Sequence, residues 1–366
     1  MKHADHDHLP NEADKEVLII RQNLKRKVVE SSLPIDAIVD QTYAGLQNST
    51  VCQDVVIQLP SIATMRNNLQ KERRKTRPSL PKNITELPHP VPINYQKSLN
   101  GEQFVLYDGL IDGSRCIIFS TPTDMLYLSQ SEMWYCDGTF YVCPSIFYQI
   151  YSIHEYNDDG IMAPYVYCSL PGKSETLYTG MFEKIFQQMS QMNLPIRLRR
   201  VTIDFELAVA KVFHKYYPYV EVKYCLLHFG QNLFRKFQDL GLQAAYKDGS
   251  DHLLFTFAPP TYNHFMNFSP RTTNHVDGRH LKWKKRSAAA HPNIYCTIDL
   301  LRQEQSLGAF NALRDHMGAP QPKRRRDQQI AENSLQKLWQ RYSEAKTDLV
   351  SFLNAAGLRY FKYLEQ

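Results

Sequence analysis

Asp137 lies in Cys136-Asp137-Gly138-Thr139-Phe140, directly after an apolar strand pattern, and Asp204 lies in Val201-Thr202-Ile203-Asp204-Phe205-Glu206, at the end of another. A carboxylate at a strand end faces the sheet edge where α/β folds bind ligands. Each also has a plainer explanation, since Asp137-Gly138 suits a β-turn and Asp204 a helix cap. The pair carries more than either alone, because two strand-end carboxylates on one sheet can share divalent cations. Cys225-x-x-His228 is half of a zinc site with no evident partner half downstream; its other reading is a buried Cys and a helix-start His. From Arg279 to Arg286 the run RHLKWKKR holds five Lys or Arg residues around Trp283. A solvated helix face explains such a run. So does DNA contact, in which Arg279, Lys282, Lys284, Lys285 and Arg286 neutralise phosphates and Trp283 stacks on an exposed base.

The elements that must position these residues follow from periodicity. Clusters of Tyr, Phe, Ile and Val predict strands at Gln103–Leu110, Arg115–Phe119, Met133–Cys136, Phe147–His154 and Met162–Leu170. The period then changes: Leu177, Met181, Ile185, Met189 and Met192 recur at helical spacing after a Ser174 N-cap. Strand Arg200–Phe205, helix Glu206–Tyr216, strand Val220–Cys225 and a helix from His228 to Gln238 come next. Strands followed by alternating helices and strands imply an α/β fold, a mixed sheet with helices packed on it. Before it, the first ~90 residues read as helices around Glu16–Glu30 and Ser61–Lys71, an adaptor without its own core, and then an extended Pro-spaced linker. After it, a helix from Ile298 to Met317 breaks at Gly318–Pro322, and helix resumes to about Leu364. The divisions are 1–100 (helical and linker segment), 101–306 (packed α/β domain) and 307–366 (basic helical tail).

Composition narrows the function classes. The chain has 366 residues, 43% hydrophobic and 22% charged, with a net charge of +6 that is too mild to identify a polyanion-binding protein unaided. Near the start the longest apolar run is Val17-Leu18-Ile19-Ile20, far short of a signal-peptide core or a membrane span. Seven cysteines without a Cys-x-x-Cys form no disulfide framework and suit a reducing compartment. Lys323-Arg324-Arg325-Arg326 is a basic cluster of nuclear-localisation type, so a nuclear protein is expected.

A run of strings then becomes distinctive. Cys136-Asp-Gly-Thr-Phe140, His154, Ala163-Pro-Tyr-Val-Tyr-Cys-Ser-Leu-Pro-Gly-Lys173, Ile203-Asp-Phe-Glu-Leu-Ala208 and Cys225-Leu-Leu-His228 with Gln231 resemble, in order and spacing, the Mutator-like element (MULE) transposase domain. Arg271-Thr-Thr-Asn-His-Val-Asp-Gly-Arg-His280 and Ala290-His-Pro-Asn-Ile294 resemble its last block, so the likeness covers roughly residues 103–306. The resemblance implies an RNase H-like core of the DDE/D class whose acids, Asp137, Asp204 and Asp277, bind two Mg²⁺ (or Mn²⁺) ions. It implies a nuclease and strand transferase: water attacks at an element's end, and the freed 3′-hydroxyl attacks target DNA. Metals about 4 Å apart would activate the attacking oxygen and neutralise charge on the phosphate. Double-stranded DNA, at element ends and target, is the implied partner, and further copies of the chain the second. The family carries Cys225 and His228 near its active site. His6 and His8 resemble the closing ligands of the FLYWCH zinc finger that often precedes this domain, without its cysteines.

Two departures bear on activity. At the third acid the family places Glu, and Asp277 is shorter by one methylene, roughly 1.5 Å of reach. Between Tyr246 and Arg271 the family's longer helical insertion is reduced to Lys247–Pro270. Two functions therefore stand: a metal-dependent transposase, or a catalytically inactive, transposon-derived DNA-binding protein in which the acids are relics. Convergence of the three carboxylates within about 4–6 Å of a common point favours the first, given Mg–O distances near 2.1 Å.

Overall fold

The computed structural model describes residues 11–30, 33–47, 52–156, 162–204, 206–225, 228, 238–239, 274–287, 289–319, 326–348, 351–352 and 355. His6 and His8, most of the helix expected after His228, the segment 247–270 and Lys323–Arg325 lie outside them.

Seven strands form one mixed sheet: β1 (Val105–Ile111), β2 (Ser114–Phe119), β3 (Met133–Thr139), β4 (Gln149–Tyr156), β5 (Met162–Leu170), β6 (Arg200–Ile203) and β7 (Glu221–Tyr224), in the order β1-β2-β5-β4-β3-β6-β7. The α/β expectation holds at that level. Pairing is antiparallel from β1 across to β3, and parallel between β3 and β6 and between β6 and β7. The β1–β2 hairpin turns on Asp112 (φ 51°) and Gly113 (φ 72°), consecutive left-handed residues that match the twist of paired strands. β3 runs three residues beyond its expected end, so Asp137-Gly138 is strand paired with Ser152 and Tyr151, not a turn.

Both faces of the sheet are covered, because alternate residues on each strand feed different cores. Cys116 and Ile118 join one core with Trp134, Cys136 and the helices α6 (Glu175–Gln191) and α7 (Leu207–Tyr216). The expected stripe of α6 is buried there at Leu177, Met181, Ile185 and Met189. Ile117 and Phe119 join the opposite core with Tyr167, Trp283 of α8 (Asn274–Arg286) and Tyr295, Ile298 and Leu301 of α9 (Ile294–His316). The Pro-spaced segment is not a free spacer: Leu87, Val91 and Tyr95 are buried in this second core, and Arg115 donates to the carbonyls of Leu87 and Pro88 while pairing with Asp108 at 2.8 Å.

Three further sequence expectations change. The N-terminal segment has its own small core, in which α1 (Glu12–Glu30), α2 (Ile35–Gln47) and α4 (Ile62–Thr76) bury Leu24, Val28, Ile38, Val39, Met65 and Leu69; a short α3 (Gln53–Gln58) adds Val55. α4 runs to Thr76, past the expected end at Lys71, so Arg73, Arg74 and Lys75 form its last turn. In the tail, α10 (Arg326–Ser343) ends before Ala345, whose φ of 54° breaks the helix.

Helix α5 (Pro122–Gln130) has no counterpart in the periodicity, being under three turns long. Its signal is local: Thr121 and Asp124 form a capping box, with Pro122 in the first turn. Burial pushes the Asp124 carboxyl up from 3.8 to about 7, against hydrogen bonds from Thr121 and Gln305. A folded pKa above the unfolded one means stability is fully present below 3.8 and is lost as pH rises through about 7. Asp124→Asn keeps a cap and cannot ionise, so it should remove this loss, on the order of a few kcal/mol. Urea unfolding of both proteins at low and neutral pH checks it: near-equal stability is expected in acid and a more stable variant at neutral pH.

Candidate metal centre

Asp137 and Asp204 sit where the strand pattern predicts, at the same edge of neighbouring parallel strands. The β3–β6 register pairs Tyr135 with Thr202, so each aspartate lies two residues beyond a matched position. Alternation then decides direction. Trp134 and Cys136 enter the core under α6, whereas Tyr135 packs with Val276 of α8 on the other face. Asp137 shares the parity of Tyr135, and its carboxylate meets α8 with only 6% of the side chain exposed. Gly138 N–H donates to its Oδ1 at 2.7 Å.

α8 brings two more groups. Asp277 and His280 are three residues apart, which places both on one helix face. Ligand atoms of Asp137, Asp277 and His280 all lie within 4.8 Å of one another. His280 Nδ1 is 3.2 Å from Asp137 Oδ2, and its Nε2 is 3.0 Å from Ser152 Oγ. Ser152 Oγ also meets His154 Nε2 at 2.8 Å and donates to the Asp137 carbonyl. Burial holds the His154 pKa well below its ordinary value, so His154 is neutral and supports the serine without adding charge. Ser152 and His154 are successive same-face residues of β4, opposite Asp137 and Tyr135 in register.

Asp204 completes the group from the other side. His228 Nδ1 is 2.6 Å from Asp204 Oδ1, and its Nε2 is 3.9 Å from Asp277 Oδ2. Burial opposes a charge on His228, but the hydrogen bonds to Asp204 and Cys225 outweigh it and push its pKa up to about 11. Cys225 is buried beyond β7, its N–H bonded to the Ile203 carbonyl. Cys225 and His228 thus serve the carboxylate site, and among the described residues they belong to no zinc cluster.

The electrostatics call for a cation. Burial raises the Asp137 carboxyl pKa, with His280 opposing and Asp204 adding to the rise. Burial also raises Asp277, and the neighbouring Asp137 carboxylate adds to it. Asp277 Oδ2 is buried and has no hydrogen-bond partner. Carboxylates this close repel unless a proton or cation sits among them. The donor set fits a divalent ion: carboxylate oxygens suit Mg²⁺ and Mn²⁺, and the imidazole of His280 also admits softer transition metals.

The basic run of α8 is placed differently from its sequence reading. Trp283 is 0% exposed and packs against His280 (4.9 Å between ring centroids), Tyr167 (5.6 Å) and His154 (6.5 Å), so its ring cannot receive a base. The reason is helical phase, since Trp283 falls three residues after His280 on the sheet-facing side. Arg279 is largely buried and donates to the Met162 carbonyl. Lys282 and Arg286 pair with the buried Glu304 of α9. Lys284 and Lys285 are the members left exposed without an anionic partner among the described residues, Lys284 lying 4.8 Å over the Tyr141 ring. Trp283→Ala should cost about 3–5 kcal/mol in urea unfolding, the loss expected of a core aromatic. Trp283→Phe should cost much less, since it keeps a ring and removes an indole N–H that lacks a partner. A stable Trp283→Ala protein would contradict this placement.

Sequence reasoning singled out the three aspartates but gave His280 and Ser152 no part in the site. The Asp-x-x-His spacing on α8 was the available signal for His280. For Ser152 the signal was strand parity, which needs the β3–β4 register. The chain matches no protein-family model, and no curated protein matches it.

Proposed function

We propose that this chain is a transposase-like enzyme of RNase H-like architecture that cuts and joins DNA by metal-dependent phosphodiester chemistry. The observation that carries the reading is the meeting of Asp137 with Asp277 and His280, ligand atoms within 4.8 Å, around a buried unpartnered Asp277 oxygen, with Asp204 on the neighbouring strand interacting with Asp137. The sheet order supports the architecture: β3, β4 and β5 form an antiparallel meander, and β6 and β7 extend it in parallel beside β3. Divalent cations bound by these acids would supply a polarised nucleophile and neutralise charge developing on the phosphate.

The chain's own residues divide the remaining work. Asp137, fixed by Gly138 N–H and His280, is the rigid central acid. Asp204 and Asp277, with side chains 33% and 38% exposed, border the open side, where a DNA backbone would enter. His228 bridges toward both and offsets part of their charge. No side chain acts as the nucleophile in this scheme. The test is strand scission and joining of linear DNA carrying candidate ends, in Mg²⁺, Mn²⁺ and chelator, alongside calorimetric titration of metal. Metal-dependent scission supports the reading. DNA binding without scission or metal uptake would replace it with that of a non-catalytic DNA-binding relic.

A further inference from the structure

The loop that follows β3 carries exposed aromatics a few residues beyond Asp137. Phe140, three residues after Asp137, is 42% exposed, and Tyr148 is 53% exposed. Their rings stand at 86° with centroids 5.7 Å apart, so they form an open corner at the surface. Lys173 Nζ lies 4.8 Å over the Phe140 ring. On the following residue the pattern repeats, with Lys284 over Tyr141. The two lysines come from opposite sides of the sheet, one preceding α6 and the other from α8.

Lys173 is held in place. It pairs with Glu206 at 3.6 Å, and Glu206 Oε1 accepts from Tyr178 Oη at 2.8 Å. Gln149 Nε2 donates to Tyr178 Oη at 2.7 Å, and Gln149 Oε1 abuts Gly138, where a Cβ would collide with it. The chain of contacts therefore ends on the residue after Asp137, and Glu206 itself follows Asp204 by two positions. The lysine and its ring belong to the same rigid frame as the acids.

A duplex hides its base faces, whereas an unpaired strand offers both π-faces to stack and phosphates to neutralise. Aromatic rings interleaved with fixed cations are the surface such a strand requires. We infer that Phe140, Tyr148 and Lys173 form a subsite that receives an unpaired nucleotide of the DNA strand next to the scissile phosphate. This rests on the carboxylates being the cleavage site. Tyr148 and Phe140 supply stacking, and Lys173 contacts the adjoining phosphate.

The test uses the full chain in chelator, with a single strand of about ten nucleotides carrying a fluorescent adenine analogue, and the same strand annealed to its complement. Tyr148→Ala should weaken single-strand binding and relieve quenching by on the order of tenfold, while Tyr148→Phe stays near wild type. Lys173→Gln should lower the slope of log K against log salt by ~0.7. Thermal melting verifies that these surface variants are folded. Single-strand binding unchanged in both Tyr148→Ala and Phe140→Ala, or a duplex bound as tightly as the single strand, would overturn the inference. Loss of metal-dependent scission as a finding in the wild type, with single-strand binding and its Tyr148 dependence intact, would instead remove the catalytic reading and leave the strand-binding surface standing.

Discussion

Asp137→Asn is expected to abolish metal-dependent scission, by ~10³-fold or more, while making the metal-free protein more stable. Both effects come from one charge. Asp137 is the acid shared by the group, close to Asp277 and His280 and raised in pKa by burial and by Asp204. Asparagine is nearly isosteric and can still accept from Gly138 N–H, so the fold should survive. What it lacks is the anionic oxygen that a divalent cation needs. A carboxyl whose folded pKa lies above its unfolded one lowers stability as pH rises through that pKa, and the amide removes the loss at neutral pH. Melting in chelator should therefore rise in the variant, by roughly 1–2 °C per kcal/mol relieved for a chain of this size. Adding Mg²⁺ or Mn²⁺ should raise the wild-type melting temperature and leave the variant unmoved. Scission by Asp137→Asn at the wild-type rate would remove Asp137 from the reaction.

The second large effect concerns Asp277. Asp277→Ala should lower scission by ~10²-fold or more, since it deletes the unpartnered oxygen from the group. From the sequence, the shorter acid suggested a deficit of reach that Glu would repair. The structure changes that expectation. Ligand atoms of Asp277 already lie within 4.8 Å of those of Asp137 and His280, so reach does not limit the site. A longer side chain from the same helix position would have to fold back, and two-metal geometry tolerates small displacements poorly. Asp277→Glu should therefore cut no faster than wild type in either metal. Faster cutting by Asp277→Glu would restore the argument from reach. Equal cutting by Asp277→Ala and wild type, both above Asp137→Asn, would show that Asp277 is not the third acid.

Local chemistry made much of this chain legible. Strand and helix types follow from side-chain period, which is why β5 and α6 lie where the pattern puts them. Asp137 and Asp204 could be placed at one sheet edge because apolar runs before them read as strands. Where a signal was short, the reading failed: α5 is marked by a capping box and too few turns to show a period. Side-chain direction was less accessible. Trp283 among lysines and arginines reads as a nucleic-acid contact until helical phase turns it into the core, with Lys282 and Arg286 drawn to Glu304 on a helix that composition alone does not bring near.

What the sequence by itself determined is the inventory: an α/β chain, two strand-end acids and a third candidate known by likeness. Tertiary structure decided that these become one group. Asp137 and Asp277 are separated by more than a hundred residues, and their meeting depends on β3 parity and on α8 packing against the face that parity selects. The same packing placed His280 against Asp137. Period and capping act over a few residues and can be read in order along the chain. The approach of two carboxylates costs free energy locally, so no local preference announces it; only the burial of the surrounding aromatic core supplies the free energy that holds it.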